Sequence, residues 1–315
     1  MNGLIVEPSP HRRTGLSIQL VMLNVILALL PAAVMGCVIF GVRAAVVLLV
    51  CIASSVIFEA LCRIIMKKDQ TIADLSAVVT GLLLGMNLPS TIPLWMAVIG
   101  SFVAIAVTKQ LFGGIGQNFA NPAIVGRIVM MLSFTAYMSN WAKPYWYRES
   151  ADVITSATPL NSDVLGTGAF TYKDLLLGNC GGCIGEVCAL ALIIGGVYLI
   201  IARIISPAAP IAFIGSVALL TALTGGDVLY QLLSGGLMIG AFFMATDYAT
   251  TPLTAKGKFI FGLGCGIITF VIRNYGNYPE GVSFSILIMN LLTPYIDRLT
   301  QTKPLGAKTP VKEVK

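Results

Sequence analysis

Histidine is nearly absent. His11 is the only one in 315 residues. That scarcity argues against a hydrolase with a conventional Ser-His-Asp triad and against a zinc site that needs paired imidazoles. Charge is thin as well. Asp, Glu, Lys and Arg make up 11% of the chain, against roughly 25% in a soluble domain, too little to cover the outside of a large water-facing core. The seven cysteines are scattered, and Cys37, Cys51, Cys62, Cys188 and Cys265 lie in or beside apolar runs, where a small buried thiol is the plain expectation. Cys180 and Cys183 form a lone CGGC. That is half a metal site at best, and otherwise a tight turn of small residues or a reversible disulfide. The net charge of +6 is not gathered into a basic face or an aromatic-interleaved stripe, so nucleic acid is not expected as a partner. No cleavable leader is expected either, because His11, Arg12 and Arg13 precede an apolar run too long for a signal h-region.

What the chain has instead is hydrocarbon. Hydrophobic residues make up 57%, and the mean hydropathy is +0.87. Apolar runs recur at about 20 residues, the length that crosses a bilayer core of roughly 30 Å. The expectation is an all-α polytopic membrane protein, since an open sheet edge in lipid leaves backbone groups unpaired. Ten spans are expected, at about 18–40, 43–63, 71–88, 92–112, 122–140, 185–205, 208–225, 229–246, 258–274 and 282–299. With the N-terminus in the cytoplasm, Arg12, Arg13, Arg63, Lys67, Lys68, Lys109, Arg127, Arg203, Lys256, Lys258 and Arg298 fall on cytoplasmic ends, with the Lys-bearing tail. Arg43, Lys143, Arg148, Lys173 and Arg273 fall outside, an asymmetry of about three to one that follows the positive-inside rule. The implied organisation is a cytoplasmic tail (1–17), a five-helix unit (18–140), an outer loop (141–184), a second five-helix unit (185–299) and a second cytoplasmic tail (300–315).

The two units look related. TGLLLGMNLP in the third span and SGGLMIGAFF in the eighth each carry G-x-x-x-G, at Gly81/Gly85 and Gly236/Gly240. KQLFGGIGQNFANPA leads into the fifth span, and IRNYGNYPEGVSF leads into the tenth. Five spans separate the members of each pair, and an odd number inserts the halves in opposite orientations, as in an inverted five-plus-five repeat. The plainer account is that G-x-x-x-G packs helices and recurs by chance.

Polar breaks at membrane depth normally line a cavity or a ligand. Four stand out: MNLPSTIP (86–93) and IRNYGNYPEG (272–281) on the outer side, GGIGQNFANPA (113–123) and FMATDYATTPLT (243–254) on the inner side. Asn118 and Asn121 suit a neutral heterocycle, because amides both donate and accept along a ring edge. Asn121 followed by Pro122 is equally a helix cap. Asp74, Asp247 and Glu280 are candidates for cation coupling, with Glu186 beside them. Capping accounts for Asp74 and Glu186 as well as ion handling does. Glu59 is expected to pair with Arg63 one turn on.

The longest polar interruption holds DVITSATPL, residues 152–160. By its spacing alone, Thr158 before Pro159 is an ordinary loop threonine. The run Asp152, Thr155, Ser156, Ala157, Thr158 nevertheless resembles the flavinylation motif of membrane redox complexes, with Ser156 where glycine is common. NFANPAIVGR, FFMATDYATTP and VIRNYGNYPEGVSFSILIMNLLTPYIDR resemble matching stretches of the RnfD/NqrB family, from the first span to Arg298. The chain length fits the RnfD branch.

The resemblance implies a subunit of the ion-translocating ferredoxin:NAD+ oxidoreductase (Rnf) complex, incomplete as an enzyme alone, in a bacterial or archaeal cytoplasmic membrane. It implies FMN joined to Thr158 by a phosphoester, installed by a flavin transferase from FAD with Mg2+, on the outer side. It also implies a second, noncovalent flavin, riboflavin, near Asn118 and Asn121. Expected partners are the subunits RnfA, RnfB, RnfC, RnfE and RnfG, the lipid bilayer, and Na+ or H+ as coupling ion. A rival reading from another class is a redox-silent inverted-repeat channel or transporter for a small uncharged solute. Such a pore has no need of DVITSATPL.

Overall fold

The computed structural model describes residues 17–148, 158–160, 170–276 and 280–301. Its described residues form helices and connecting turns, without strands. Helix α1 (Ile18–Phe40) opens on Ser17, whose hydroxyl accepts from Leu20 N at 3.2 Å, and ends at Gly41. Helix α2 (Val42–Ile65) returns at once through that glycine, whose φ of 78° is the left-handed region a Cβ disfavours. These two, together with α12 below, are long and apolar enough to cross a membrane uninterrupted.

Several of the other expected spans are interrupted or shortened, whereas those at 208–225 and 282–299 are single helices. The run at 71–88 splits into a 3-10 turn (Ile72–Asp74), a left-handed Leu75 and the 11-residue α3 (Ser76–Met86). Helix α4 (Leu94–Phe102) widens without a gap into a π-helix (Val103–Gln110), a form that concentrates at functional sites. Helix α5 (Pro122–Ser133) starts on the Asn121 cap and stops at Phe134, before the single turn α6 (Thr135–Met138). After α7 (Tyr172–Leu177), residues 180–189 are almost all buried before α8 (Ala189–Ile201) begins. Then come α9 (Ala208–Leu223) and the short α10 (Val228–Leu233). The three-residue α11 (Leu237–Ile239) runs into a second π-helix (Gly240–Met244). Helices α12 (Ala255–Tyr275) and α13 (Val282–Thr300) close the described fold.

Similar pairings recur in the two halves. Helix α2 packs on α4 and α4 on α5; α9 packs on α12 and α12 on α13. Across the halves, α1 packs on α8 and α5 on α13. Close approach there depends on small residues: a Cβ at Gly195 would lie 2.1 Å from the Ala28 carbonyl, so α8 can rest against the α1 backbone. The two G-x-x-x-G motifs do different work. Gly81 and Gly85 seat α3 on α2, against Cys51 and Leu48, whereas Gly236 faces Glu186 and Gly240 faces Val282 of α13. The outward side is lined by leucine, isoleucine and valine, among them Leu49, Ile57, Ile194 and Leu219, all exposed. With the broken apolar helices, that surface makes this a multi-pass membrane protein.

Candidate functional site: two clefts joined by a buried polar chain

We call the side on which α1 begins the near face and the opposite side the far face. A cleft opens at each. The near cleft holds about 790 Å3 of empty space, counting its mouth. Val21 and Val25 of α1, Val79 and Leu83 of α3, and Phe243 form its apolar walls, and Lys109, Asn118, Asn121 and Asp247 are its polar points. The breaks 113–123 and 243–254 thus meet in one pocket. Asn121 acts as the α5 cap, accepting from Ala123 N at 3.1 Å, while its Nδ2 reaches the Met244 carbonyl at 3.4 Å. The capping reading of that residue holds. Asn118 Oδ1 is buried with no hydrogen-bond partner among the described residues, a cost of roughly 1–3 kcal/mol that a donor in the cleft would relieve. Asp247 accepts from Ala249 N (3.4 Å) and the Thr250 hydroxyl (3.2 Å). Apolar walls and one unpartnered amide oxygen leave room for a largely apolar group that carries a hydrogen-bond donor.

The far cleft, about 1190 Å3 with its mouth, is bordered by Tyr172, Asp227, Tyr230, Gln231 and Asn274. Tyr230 hydroxyl donates to the Pro159 carbonyl at 2.9 Å, which ties the 158–160 turn to the cleft wall. Thr158 is 7% exposed, and its hydroxyl oxygen accepts from Leu160 N at 3.4 Å. A hydroxyl so covered can take a phosphoester only before the turn seats or when it opens. Asp152, Thr155, Ser156 and Ala157 lie outside the described residues.

Between the clefts runs a chain of buried polar groups. Asn87 Nδ2 lies 3.9 Å from Met244 Sδ, and Asn87 Oδ1 accepts from Arg127 Nη1 at 2.6 Å. Arg127, 1% exposed, is bound directly to Glu280 and lies 2.7 Å from Glu186. Cys183 Sγ is 3.2 Å from the Asn87 carbonyl. Residues 184 and 185 donate their backbone N–H groups to Leu88 (3.1 Å) and Met86 (2.7 Å), locking the second half onto the first half's break. On the far side, Arg273 donates to the Gln231 carbonyl (2.7 Å) and the Ser234 carbonyl (3.1 Å).

Several expectations change here. Glu59 does not pair with Arg63. It binds Lys109 Nζ at 2.9 and 3.0 Å and accepts from Thr71 and Gln110, because the π-helix turns Lys109 and Gln110 together onto α2. Arg127 and Lys109 are fully buried rather than span-end charges. Glu186 caps nothing and is ion-paired. Asp74 is half-buried in its 3-10 turn and outside the near cleft lining, and the cap of α3 makes no side-chain bond. Cys180 and Cys183 are both free thiols. The signal that exposes the missed cluster is Arg127 itself. An arginine five residues inside an apolar span is a functional candidate by default, with carboxylates as its expected partners.

A family model described as the NQR2, RnfD, RnfE family matches residues 5–306. The chain is 47% identical to the subunit lettered D of the Na(+)-translocating ferredoxin:NAD(+) oxidoreductase complex of Acetobacterium woodii, over 99% of this chain and 98% of that protein. It is 43% identical to the same-lettered subunit of the proton-translocating ferredoxin:NAD(+) oxidoreductase complex of Clostridium ljungdahlii, covering 98% and 97%. Identity to the corresponding subunit of the ion-translocating oxidoreductase complex of Stutzerimonas stutzeri is 36%, with 92% of each covered.

Proposed function

The chain belongs to the NQR2, RnfD, RnfE family, and from that premise we propose that it is the membrane subunit of an ion-translocating ferredoxin:NAD+ oxidoreductase complex, carrying FMN on Thr158 and passing electrons across or along the membrane. The observation that carries this reading is the position of Thr158. It sits in a turn held by Tyr230 at the rim of a large cleft, on the face opposite a second cleft with an unpartnered amide. Flavins bound at the two faces would supply one-electron chemistry.

The residues of the chain do the rest. Tyr230 fixes the attachment turn, so that a group on Thr158 is tethered beside the far cleft. Asn118 offers its unpartnered amide oxygen to a noncovalent riboflavin in the near cleft, with Asn121 on the same wall. Lys109 and Asp247 place opposite charges on that cleft's wall, and so set the local field on whatever occupies it. In this reading the Thr158 face is outside, both termini are cytoplasmic, and the coupling ion is Na+ or H+. Asp247, Glu280 and Asp74 are the coupling candidates. The relatives' names divide between sodium and proton, so overall similarity does not choose. The proposed partners are a flavin transferase and the subunits RnfA, RnfB, RnfC, RnfE and RnfG. A solute channel would need an open middle, whereas here that middle is filled by Arg127, Glu186 and Glu280.

Peptide mass measurement decides the matter. Protein made alongside its transferase should show the Thr158 peptide heavier by FMN, and Thr158→Val should lose both that mass and the in-gel flavin fluorescence. An unmodified Thr158 peptide from such protein overturns the covalent assignment.

A further inference from the structure

Where the two halves meet, two carboxylates converge on one guanidinium. Arg127 of α5 contacts Glu280, which precedes α13, and Glu186, which precedes α8. Cys183 Sγ and one oxygen from each glutamate all lie within 4.8 Å of one another. All four residues are buried. In direct contact, then, one positive charge faces two negative ones, and the thiol adds none while protonated. A surplus charge shut away from water is costly unless a further cation offsets it. Arg273 of α12 is the next positive group, but it is spent on the carbonyls of Gln231 and Ser234 and acts on Glu186 only from a distance. Asn87 of the α3 break is neutral, and Lys109 is already committed to Glu59.

Two further observations point to a ligand. Glu186 Oε1 sits beside Arg127, yet no donor is aligned with it, in a residue 4% exposed. Beside that oxygen the wall is Gly236, where a Cβ would stand 2.7 Å away. A glycine there keeps clear the space next to an ion-paired carboxylate oxygen that no donor is aligned with.

We propose that Glu186 and Glu280 hold one exchangeable monovalent cation, a proton or a sodium ion, beside Arg127, as a station between the two clefts. Its purpose rests on the proposed ion-translocating role; the seat itself follows from the charges. Toward the near cleft the polar groups continue through Asn87 and Met244 to Asn121. Toward the far cleft they continue through the Gly235–Gly236 turn to Arg273 and Gln231.

The test uses the assembled complex in lipid nanodiscs, with infrared titration of carboxyl groups at low sodium and equilibrium binding of radioactive sodium. A protonated-carboxyl band is expected that disappears in Glu186→Gln and in Glu280→Gln. If the site takes sodium, adding sodium at fixed pH removes the band, and saturable sodium binding is lost in both variants. If it takes only protons, sodium leaves the band in place. Gly236→Ala, which removes no charge, should weaken the cation's affinity, and Glu186→Asp should restore a shifted titration. Should neither the band nor the sodium binding respond to the two glutamate substitutions in folded complex, the seat does not exist. The mass of the Thr158 peptide from the same samples reports separately on the flavin. An unmodified peptide with an intact cation signal would sink the carrier reading and leave the seat standing.

Discussion

Lys109 donates three hydrogen bonds, two to Glu59 and one to Ser76, whereas Arg127 divides a single guanidinium between two glutamates and leaves its Nε without a partner among the described residues. Both clusters are buried and both join segments distant in sequence. The near one is balanced, one charge against one, with Thr71 and Gln110 completing the carboxylate. It holds α2, α3 and the first π-helix together. The central one is short of positive charge and bordered by a glycine. The difference teaches how to tell a lock from a station: a buried ion pair with every donor and acceptor used has nothing left to exchange.

The contrast can be tested from its strongest side first. Glu59→Gln strands a buried ammonium, and the expected loss is about 3–5 kcal/mol of stability, read as a fall in the denaturation midpoint in detergent. Combining it with Lys109→Met removes both charges and should recover most of that loss, since a buried pair replaced by apolar groups is often neutral. Recovery would mark the pair as structural. Failure to recover would give Lys109 a role beyond pairing.

A smaller effect is expected in the near cleft. Asn118→Ala removes the unpartnered amide and should weaken retention of noncovalent flavin by roughly tenfold, about 1.4 kcal/mol, with the mass of the Thr158 peptide unchanged. Flavin extracted from the denatured variant measures it.

The smallest effect belongs to the far face. The Tyr172 hydroxyl donates to Asp227 at 2.5 Å, which holds that carboxyl below its usual range and pushes the phenol up. The contact is therefore fully present above the ordinary carboxylate range and fades as pH falls through the lowered value. At the alkaline end it is lost as pH rises through the raised phenol value. Asp227→Asn should bring the Tyr172 ultraviolet titration down toward about 10, with stability near neutral pH almost unchanged.

Much of this is legible in the sequence, for stated reasons. Hydropathy locates the apolar runs because burial in lipid is a property of composition summed over a span. The Asn121–Pro122 cap is legible because capping is local chemistry. Pairings between breaks are not. Proximity at i,i+4 points Glu59 to Arg63, and the π-helix, which sequence periodicity does not announce, brings Lys109 instead. Arg127 reads as a span-end charge because its partners, Glu186 and Glu280, lie 59 and 153 residues further on. Spacing groups Cys183 with Cys180, yet its neighbours are Asn87, Arg127 and Glu280.

The amino-acid order alone determined that this chain lives in a bilayer as helices, where its polar breaks fall and which family it joins, because those follow from local composition and motif. Only the tertiary structure decided which breaks face each other, which charges cancel and which two carboxylates share one guanidinium. Electrostatic neutrality is a sum over neighbours in space, and the neighbours here come from opposite halves of the chain.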